Sequence, residues 1–254
     1  MILVTGATGC LGSVLVPRLV AAGRPVRAVS RRPRADVEGV TWSTADLRTG
    51  PALDAAVTGA DVIVHAASEP RSRSSADVES TRRLLDAARR GGGAPHVVYI
   101  SIVGVDVHPY GYYRTKLAAE RLIERSALPY TILRTTQWHQ FLDRIFGAMG
   151  ASPVIPVPSR TRVQPLDVSE VADRLAEFAL GGPAGRAPDM GGPQVLEAAH
   201  TARSHLRAAG RRGAVLPVRL PGAAARAFRD GLHLAPDHAQ GKITWEDFLA
   251  RRFS

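Results

Sequence analysis

The chain has 254 residues, 45% of them hydrophobic, and a formal net charge of +10. This length builds one large domain or a domain with a small appendage. No stretch approaches 18 uncharged apolar residues, and the apolar start at 2–4 indicates a strand, so neither a membrane span nor a signal sequence is expected. The single cysteine, Cys10, excludes an internal disulfide and favours a reducing compartment, so we expect a cytoplasmic protein.

Arginine supplies most of the positive charge: 31 of the 33 basic residues are arginine, spread along the whole chain. Because no recognition motif accompanies them, nucleic-acid binding is not expected. The dispersed charge indicates a solvated basic surface that favours anionic ligands.

Short apolar strands alternate with helical segments through the first 135 residues. The predicted strands are 2–5, 25–30, 40–43, 61–66, 96–100 and 130–134. The predicted helices run from about residue 10 to the glycine at 23 and over 51–57, 77–90 and 112–126, with a loop at 69–75. This alternation predicts an α/β fold, a Rossmann-type doubly wound parallel sheet with right-handed crossovers.

The pattern changes after residue 135. Prolines at 153, 156 and 158 predict a loop, residues 168–180 predict a helix, and 181–193 is rich in turn residues. We therefore expect a core over residues 1–135 and a smaller C-terminal substrate-binding cap over residues 136–254, packed on the carboxyl ends of the strands. Ligands of doubly wound sheets bind at those ends.

Three glycines at a spacing of three follow the first strand. Gly6 turns the chain, Gly9 lets backbone amides approach a pyrophosphate, and Gly12 lets the following helix pack against the strand. The helix N-terminus adds unpaired N–H groups and a partial positive charge. Residues 1–135 are thus predicted to bind a dinucleotide, through contacts at Gly6, Thr8, Gly9, Cys10, Leu11 and Gly12.

The end of the second predicted strand discriminates between the two nicotinamide cofactors. An NAD site places Asp or Glu there, about twenty residues past the glycines, to hold the ribose 2′-hydroxyl. This chain has Arg31 and Arg32 instead, and a guanidinium pairs well with a 2′-phosphate. We predict NADP(H) over NAD(H). If the arginines only reflect the arginine-rich composition, the missing carboxylate still disfavours NAD.

Ser101, Tyr112 and Lys116 form the candidate catalytic group. Residues four apart on a helix share a face, so Tyr112 and Lys116 point the same way, and Ser101 follows the fifth strand, where it is expected to bond the substrate oxygen. A lysine cation about 4 Å from the phenol, at an effective dielectric of about 20, favours the phenolate by about 4 kcal/mol, or about three pKa units. Such a shift brings the tyrosine from a pKa of about 10 to about 7, which suits general acid–base catalysis. The alternative for a Tyr–Lys pair is surface packing; the glycine turn, the serine and the scarcity of lysine favour catalysis.

On these motifs the chain resembles the short-chain dehydrogenases/reductases, in the atypical NmrA-like branch that includes isoflavone-reductase-like and quinone-reductase-like proteins. The resemblance is carried by Gly6-Ala-Thr-Gly9-x-x-Gly12, Asp46-Leu47, His65-Ala-Ala-Ser68, Ser101 with Tyr112 and Lys116, and residues 133–139 and 244–249. It implies that Lys116 also binds the nicotinamide ribose. Classical members have a proline–glycine pair after strand six, whereas this chain has Thr135-Thr136.

The resemblance implies further cofactor contacts. Asp46 and Leu47 would lie by the adenine, and Ala66 and Ala67 by the cofactor ribose. Ser68, which ends the same motif, is included among the predicted cofactor contacts.

The segment after the sixth strand supplies candidates for substrate binding. Trp138, His139 and Phe141 are expected either to wall a substrate pocket or to pack in the core. The histidines at 65, 96, 108 and 139 lack ligand-like spacing, so no metal site is expected.

These features together predict an NADPH-dependent reductase that acts on a carbonyl, a quinone or a conjugated double bond of a small molecule, as a monomer or homodimer. One alternative is a non-catalytic NADP(H)-binding regulator, which would not need the Ser/Tyr/Lys set. Another is an epimerase or dehydratase with retained NAD, which the arginines after strand two disfavour.

Overall fold

The computed structural model describes residues 1–50, 52–68, 76–149 and 152–254, so Pro51 and the predicted loop at 69–75 lie outside the described residues. The chain divides into two compact units. We call Met1–Ser101, Gly111–Leu133 and Val171–Ala187 the sheet unit. Ile102–Tyr110, Arg134–Glu170 and Pro188–Ser254 form the C-terminal unit. The sheet unit thus continues beyond residue 135 and takes up a later segment of the chain.

Both units contain short strands. They are β1 Ile2–Thr5, β2 Val26–Ser30, β3 Val40–Thr44, β4 Val62–His65, β5 His96–Ile102, β6 Tyr130–Thr135, β7 Val154–Pro158, β8 Arg162–Val163, β9 Gly185–Arg186, β10 Leu196–Glu197 and β11 Ala214–Val218. The helices are α1 Gly12–Ala21, α2 Leu53–Val57, α3 Ala76–Arg90, α4 Gly111–Glu124, α5 His139–Ala148, α6 Val168–Leu180, α7 Ala198–Ala208, α8 Ala223–Asp230 and α9 Trp245–Phe253.

The main sheet is parallel and has, among the described residues, seven strands in the order β3-β2-β1-β4-β5-β6-β9. The order reverses direction at β1, with β2 on one side and β4 on the other, which confirms the predicted doubly wound Rossmann-type fold. β1 and β4 are buried along their whole length, as expected for central strands covered on both faces. The carboxyl ends of β1, β4 and β5 therefore meet at one edge of the sheet.

The seventh strand, β9, was not predicted. It has only two residues and pairs with Thr131 and Ile132 of β6. A two-residue strand has no readable alternation, so the segment around it shows only its turn residues in the sequence.

The C-terminal unit corrects the prediction of a loop at residues 153–158. β7 occupies most of that segment and pairs in parallel with β11. Ile155 and Val157 point into the core, whereas Pro156 and Pro158 face outward. In a two-stranded sheet each strand has a free edge, so a proline there removes no hydrogen bond from the ladder. Helix α5 lies in a segment for which no helix was predicted.

The core of the C-terminal unit combines aromatic and aliphatic side chains. Trp245 and Phe248 of α9 pack with Phe146 of α5 and Leu206 of α7. Within the described residues, none of the helices has the length and apolarity needed to cross a membrane.

Candidate functional site

The glycine turn joins β1 to α1 within the sheet unit. Gly6 has φ +69°, and the Gly9 N–H donates to the Gly6 carbonyl at 2.9 Å. A Cβ on Gly12 would lie 2.2 Å from the Gly6 oxygen, and one on Gly6 would lie 2.7 Å from the backbone of Ala66. Gly6 and Gly12 are therefore required by backbone packing, which brings the turn against the chain that leaves β4.

The start of α1 fits a phosphate group. Among the described residues no side chain caps this helix, and its first turn carries no acidic residue. The Ser13 N–H donates to the Gly9 carbonyl and the Val14 N–H to the Leu11 carbonyl, and the helix dipole favours negative charge at this end. Thr8 and Cys10 are exposed at this turn, whereas Leu11 is buried. The residues present therefore suit the pyrophosphate of a dinucleotide.

The ends of β2 and β3 carry the residues predicted to lie near the adenosine. Arg31 and Arg32 are exposed. The nearby carboxylate of Asp36 accepts the Trp42 N–H at 2.7 Å, an interaction within the loop and neighbouring strand. Positive charge therefore dominates the end of β2.

Asp46 and Arg31, predicted separately, are electrostatically coupled. Burial of the Asp46 carboxyl would raise its pKa, but hydrogen bonds and charge from Arg48, together with the charge of Arg31, hold the pKa below its ordinary value. Its Oδ1 accepts the Arg48 N–H at 2.9 Å. Leu47 is partly buried against the core of the sheet unit.

A buried polar network links the ends of β1 and β4, and sequence reasoning missed it. His65 Nδ1 lies 2.8 Å from Thr5 Oγ1, and His65 Nε2 lies 3.0 Å from Thr81 Oγ1 of α3. Burial, together with the charge of Lys116, lowers the pKa of His65 to about 3, so the ring is neutral at physiological pH. Thr5 also accepts the Ala67 N–H at 3.4 Å, which fixes the backbone after β4. The signal that could have indicated this network is a polar residue at the end of each of two apolar strands.

Lys116 of α4 is 3% exposed and reaches the carboxyl end of β5. Its Nζ donates to the Ile100 carbonyl at 2.7 Å and lies 4.2 Å from the centre of the Tyr99 ring. Burial lowers the pKa of Lys116 to about 8, although the negative charges of Asp77 and Glu120 act to raise this pKa. The amine is therefore mostly a cation at neutral pH.

Tyr112 lies on the same helix one turn earlier, and the structure pairs it with Ser68. The Tyr112 hydroxyl is 2.6 Å from Ser68 Oγ, and Ser68 Oγ donates to Asp77 Oδ2, also at 2.6 Å. Asp77 was not among the predicted site residues, because an acid in the first turn of a helix is equally expected for its effect on the helix dipole.

Ser101 is 2% exposed, and its hydroxyl has no hydrogen-bond partner among the described residues. An unpaired buried hydroxyl costs about 1–3 kcal/mol, so a hydrogen bond from a ligand or a water molecule would stabilise it. Ser101 follows directly on Ile100, whose carbonyl holds Lys116.

The three substrate candidates occupy different environments in the C-terminal unit. His139 is fully buried and packs on Trp245 and Phe248, which places it in the core. Trp138 is half-buried, and its indole N–H donates to Thr135 Oγ1 at 3.0 Å.

Phe141, by contrast, is 43% exposed and lines a cavity of about 320 Å³. The cavity walls include Tyr110, Leu220 and Phe228. Thr161 also lines it, and its buried hydroxyl has no partner within the described parts of the chain. The cavity therefore combines apolar walls with one unsatisfied polar group.

The pair that departs from the classical motif, Thr135-Thr136, is tied into this unit. The Thr136 hydroxyl donates to the Gln164 carbonyl at 2.6 Å. In the ranges that the structure describes, no group of three His, Cys, Asp or Glu side chains is placed to hold a metal ion.

The family described as NAD(P)H-binding matches residues 6–143, more than half of the chain. The (4-alkanoyl-5-oxo-2,5-dihydrofuran-3-yl)methyl phosphate reductase of Streptomyces griseus is 30% identical in an alignment 226 positions long, which covers 83% of this chain and 74% of that protein. The ceramide reductase of Caulobacter vibrioides is 30% identical over 70% of this chain, and the match spans 60% of its length.

Among solved structures, an NADPH-dependent quinone oxidoreductase of Escherichia coli superposes with a TM-score of 0.79 over 100% of both chains. At 18% identity, this likeness concerns the fold. The triphenylmethane reductase of a Citrobacter species, solved with NADP(H), has a TM-score of 0.77 at 19% identity over 100% of this chain and 99% of that chain.

Proposed function

This chain belongs to the NAD(P)H-binding family, in its NmrA-like, quinone-reductase-like branch, and on that premise we propose that it is an NADPH-dependent reductase. Its substrate is a small organic molecule with a carbonyl, a quinone or a conjugated double bond. Relatives that share 30% identity with it are named as reductases, which supports the reaction class.

One observation carries the proposal: near the carboxyl end of β5 a buried lysine bonds one residue, and the next residue has a buried hydroxyl with no partner among the described residues. Lys116 is held by Ile100, and Ser101 is the next residue. A fold that needed neither group for chemistry would lose stability by burying both. Tyr112, one helical turn before Lys116, adds a proton donor to the pair.

The cofactor is proposed to lie along the residues that fit it. The amides at the start of α1 would hold the pyrophosphate, and Arg31 and Arg32 the 2′-phosphate. Asp46 and Leu47 would lie by the adenine. The remaining proposed contacts, on the ribose side, are Ala66, Ala67, Ser68 and Lys116. When bound, the nicotinamide supplies the hydride.

The chain's own residues then bind the substrate oxygen and supply the proton. The Ser101 hydroxyl bonds the substrate oxygen and holds it in line. Tyr112 gives its proton to the anion that develops there, and the Lys116 cation stabilises the phenolate that remains. For a quinone or enone substrate the proton from Tyr112 matters less, because the negative charge is delocalised.

Within the C-terminal unit, the cavity lined by Phe141 is proposed to bind a small apolar group. Its aromatic walls suit a flat ring, and the Thr161 hydroxyl offers one hydrogen bond. Trp138 is bonded to Thr135 and His139 packs in the core, so neither is proposed to line this cavity.

The test combines a binding titration with turnover. We expect the purified protein to bind NADPH more tightly than NADH in a titration monitored by cofactor fluorescence. We also expect it to oxidise NADPH with members of a panel of ketones, enones and quinones. Tyr112→Phe is expected to lower turnover of a ketone by about 100-fold or more, with the Kd for NADPH nearly unchanged.

Tyr130→Phe is the matched control, since Tyr130 packs against the core of the sheet unit and its substitution removes the same hydroxyl elsewhere. Retained ketone turnover in Tyr112→Phe would contradict the proton-donor role. Tight NADPH binding without turnover across the panel would favour a cofactor-sensing regulator. Failure to bind either nucleotide would overturn the function proposed for the glycine turn.

A further inference from the structure

A carboxylate that the proposed reaction does not use stands behind Tyr112. We propose that Asp77, acting through the Ser68 hydroxyl, is a positioning residue that keeps Tyr112 protonated, and that a solvent proton returns to Tyr112 through Ser68 after each turnover. The proposal rests on the proposed function above, in which Tyr112 is the proton donor.

The number of protons that each group can donate determines the direction of the two hydrogen bonds. Ser68 Oγ is 2.6 Å from both the Tyr112 hydroxyl and Asp77 Oδ2. A serine hydroxyl has one proton, and a carboxylate only accepts. Ser68 therefore donates to Asp77, and Tyr112 donates to Ser68. This arrangement stabilises the neutral phenol, because a phenolate has no proton to donate to Ser68.

Asp77 is well placed to remain fixed while protons move. It is 8% exposed and lies in the first turn of α3. Its carbonyl accepts the Thr81 hydroxyl at 2.7 Å, and Thr81 contacts the buried ring of His65. Ser68, between Asp77 and Tyr112, is exposed and so lies within reach of water. The carboxylate is anchored, and the middle of the chain of hydrogen bonds is open to solvent.

Several charged or titratable groups surround this chain of hydrogen bonds. Lys116 and Glu120 face it from α4, Tyr99 from β5 and His65 from β4. Burial, with the charge of Asp77 added, raises the pKa of Tyr99 well above its ordinary value. At Tyr112, the Asp77 carboxylate disfavours the phenolate and the Lys116 cation favours it. Asp77 thus opposes Lys116 and biases the resting site towards a protonated donor, the form that reduction requires.

The proton transfers balance without any further reactant. Tyr112 breaks its O–H bond and the product oxygen forms one. The phenolate then takes the Ser68 proton, and the exposed Ser68 oxygen takes a proton from solvent and again donates to Asp77. Asp77 remains a carboxylate throughout, and one solvent proton is consumed in each turnover.

The decisive test is a phenolate titration of the whole protein without cofactor. The ultraviolet absorbance of the Tyr112→Phe variant is subtracted to isolate Tyr112. In Asp77→Asn we expect the pH at which half of Tyr112 is phenolate to fall by about one unit or more, because a negative charge about 5 Å away is removed. Glu79→Gln, which removes an exposed carboxylate from the same helix, is expected to leave that pH unchanged.

Ser68→Ala keeps the charge and removes the hydroxyl that accepts from Tyr112, so it is expected to lower the same pH. As Ser68 is exposed, this variant tests the proposal even if Asp77→Asn fails to fold. An unchanged half-ionisation pH in the folded variants would overturn the proposal.

The pH profile of turnover supplies a second readout. In Asp77→Asn the alkaline limit of ketone reduction is expected to move to lower pH, and Asp77→Glu is expected to restore it in part. A profile identical to that of the unmodified protein would contradict the role of Asp77. Because the titration uses no cofactor or substrate, failure of the proposed reductase activity leaves its result readable, and the two failures are distinguishable.

Discussion

Lys116 is the side chain whose burial most clearly works against the stability of the fold. Burial lowers its pKa to about 8 from the ordinary value of 10.5. Below pH 8 the folded chain carries a buried cation, which the Ile100 carbonyl, the Tyr99 ring and nearby carboxylates partly compensate. Between about 8 and 10.5 the unfolded chain holds this proton and the folded chain does not, so the free energy of unfolding rises with pH.

Lys116→Met is therefore expected to raise the free energy of unfolding of the cofactor-free protein at neutral pH by about 1–3 kcal/mol. The same change is expected to lower turnover by about 100-fold, since the phenolate loses its cation. Urea denaturation and NADPH oxidation measure the two effects. Lys242→Met, at the other lysine, which is exposed, is the control. A destabilised Lys116→Met protein would refute the account of burial.

At this scale the sequence predicts which side chains matter better than it predicts their partners. The helical spacing of Tyr112 and Lys116 follows from local geometry and is present in α4. The sequence analysis expects the Lys116 amine beside the Tyr112 phenol, whereas in the structure this amine donates to the Ile100 carbonyl. The partner of Tyr112 lies 44 residues away along the chain, and no local pattern encodes a contact of that separation.

Among the elements, the turn between β1 and α1 is the one whose sequence and geometry agree most closely. Gly12→Ala is expected to destabilise the protein by about 3 kcal/mol or more, because its Cβ would meet the Gly6 backbone and neither atom can rotate away. NADPH binding should weaken with it, as the same backbone frames the phosphate site.

Gly147→Ala is the matched control for that substitution. Gly147 lies in α5, and among the described residues nothing approaches within 4 Å of its added Cβ, so alanine is expected to be neutral or to stabilise by about 0.5–1 kcal/mol. Thermal unfolding and a fluorescence titration with NADPH decide the comparison. A Gly12→Ala protein with unaltered stability would show that the turn is looser than its geometry indicates.

Elements are predicted well where each one buries a continuous apolar face. β1, β4, α3 and α4 fall within two residues of their predicted bounds for this reason. In the C-terminal unit, short paired strands take their stability from partners about sixty residues away, as β7 does from β11. The prolines of β7 indicate a loop when only neighbouring residues are considered. In the folded chain they lie in a strand with a free edge, where a proline removes no hydrogen bond of the sheet.

For the whole molecule, buried neutral histidines predict sensitivity to acid. Burial lowers the pKa of His233 to about 4 and, with the charge of Lys116, that of His65 to about 3; it also lowers the pKa of His96 and His108. As the pH falls below 6.5, these histidines bind protons in the unfolded chain but stay neutral in the folded chain. The free energy of unfolding therefore decreases.

The free energy of unfolding is expected to fall by about 1.4 kcal/mol per pH unit for each histidine that stays neutral in the fold. Urea denaturation at several pH values between about 7 and 5 measures this slope. His65→Gln is expected to make the slope shallower, whereas His200→Gln, at an exposed histidine, should leave it unchanged. An unaltered slope in His65→Gln would refute the assignment.

By itself, the sequence determined the doubly wound sheet, the glycine turn and the helix that carries Tyr112 and Lys116, because alternation, helical spacing and turn chemistry are local properties of neighbouring residues. Only the tertiary structure decided that Ser68 links Tyr112 to Asp77, that Ser101 is buried with no hydrogen-bond partner among the described residues, and that burial lowers the pKa of His65. Those properties depend on burial and on contacts between residues far apart in the chain, and both arise only when the strands and helices pack together.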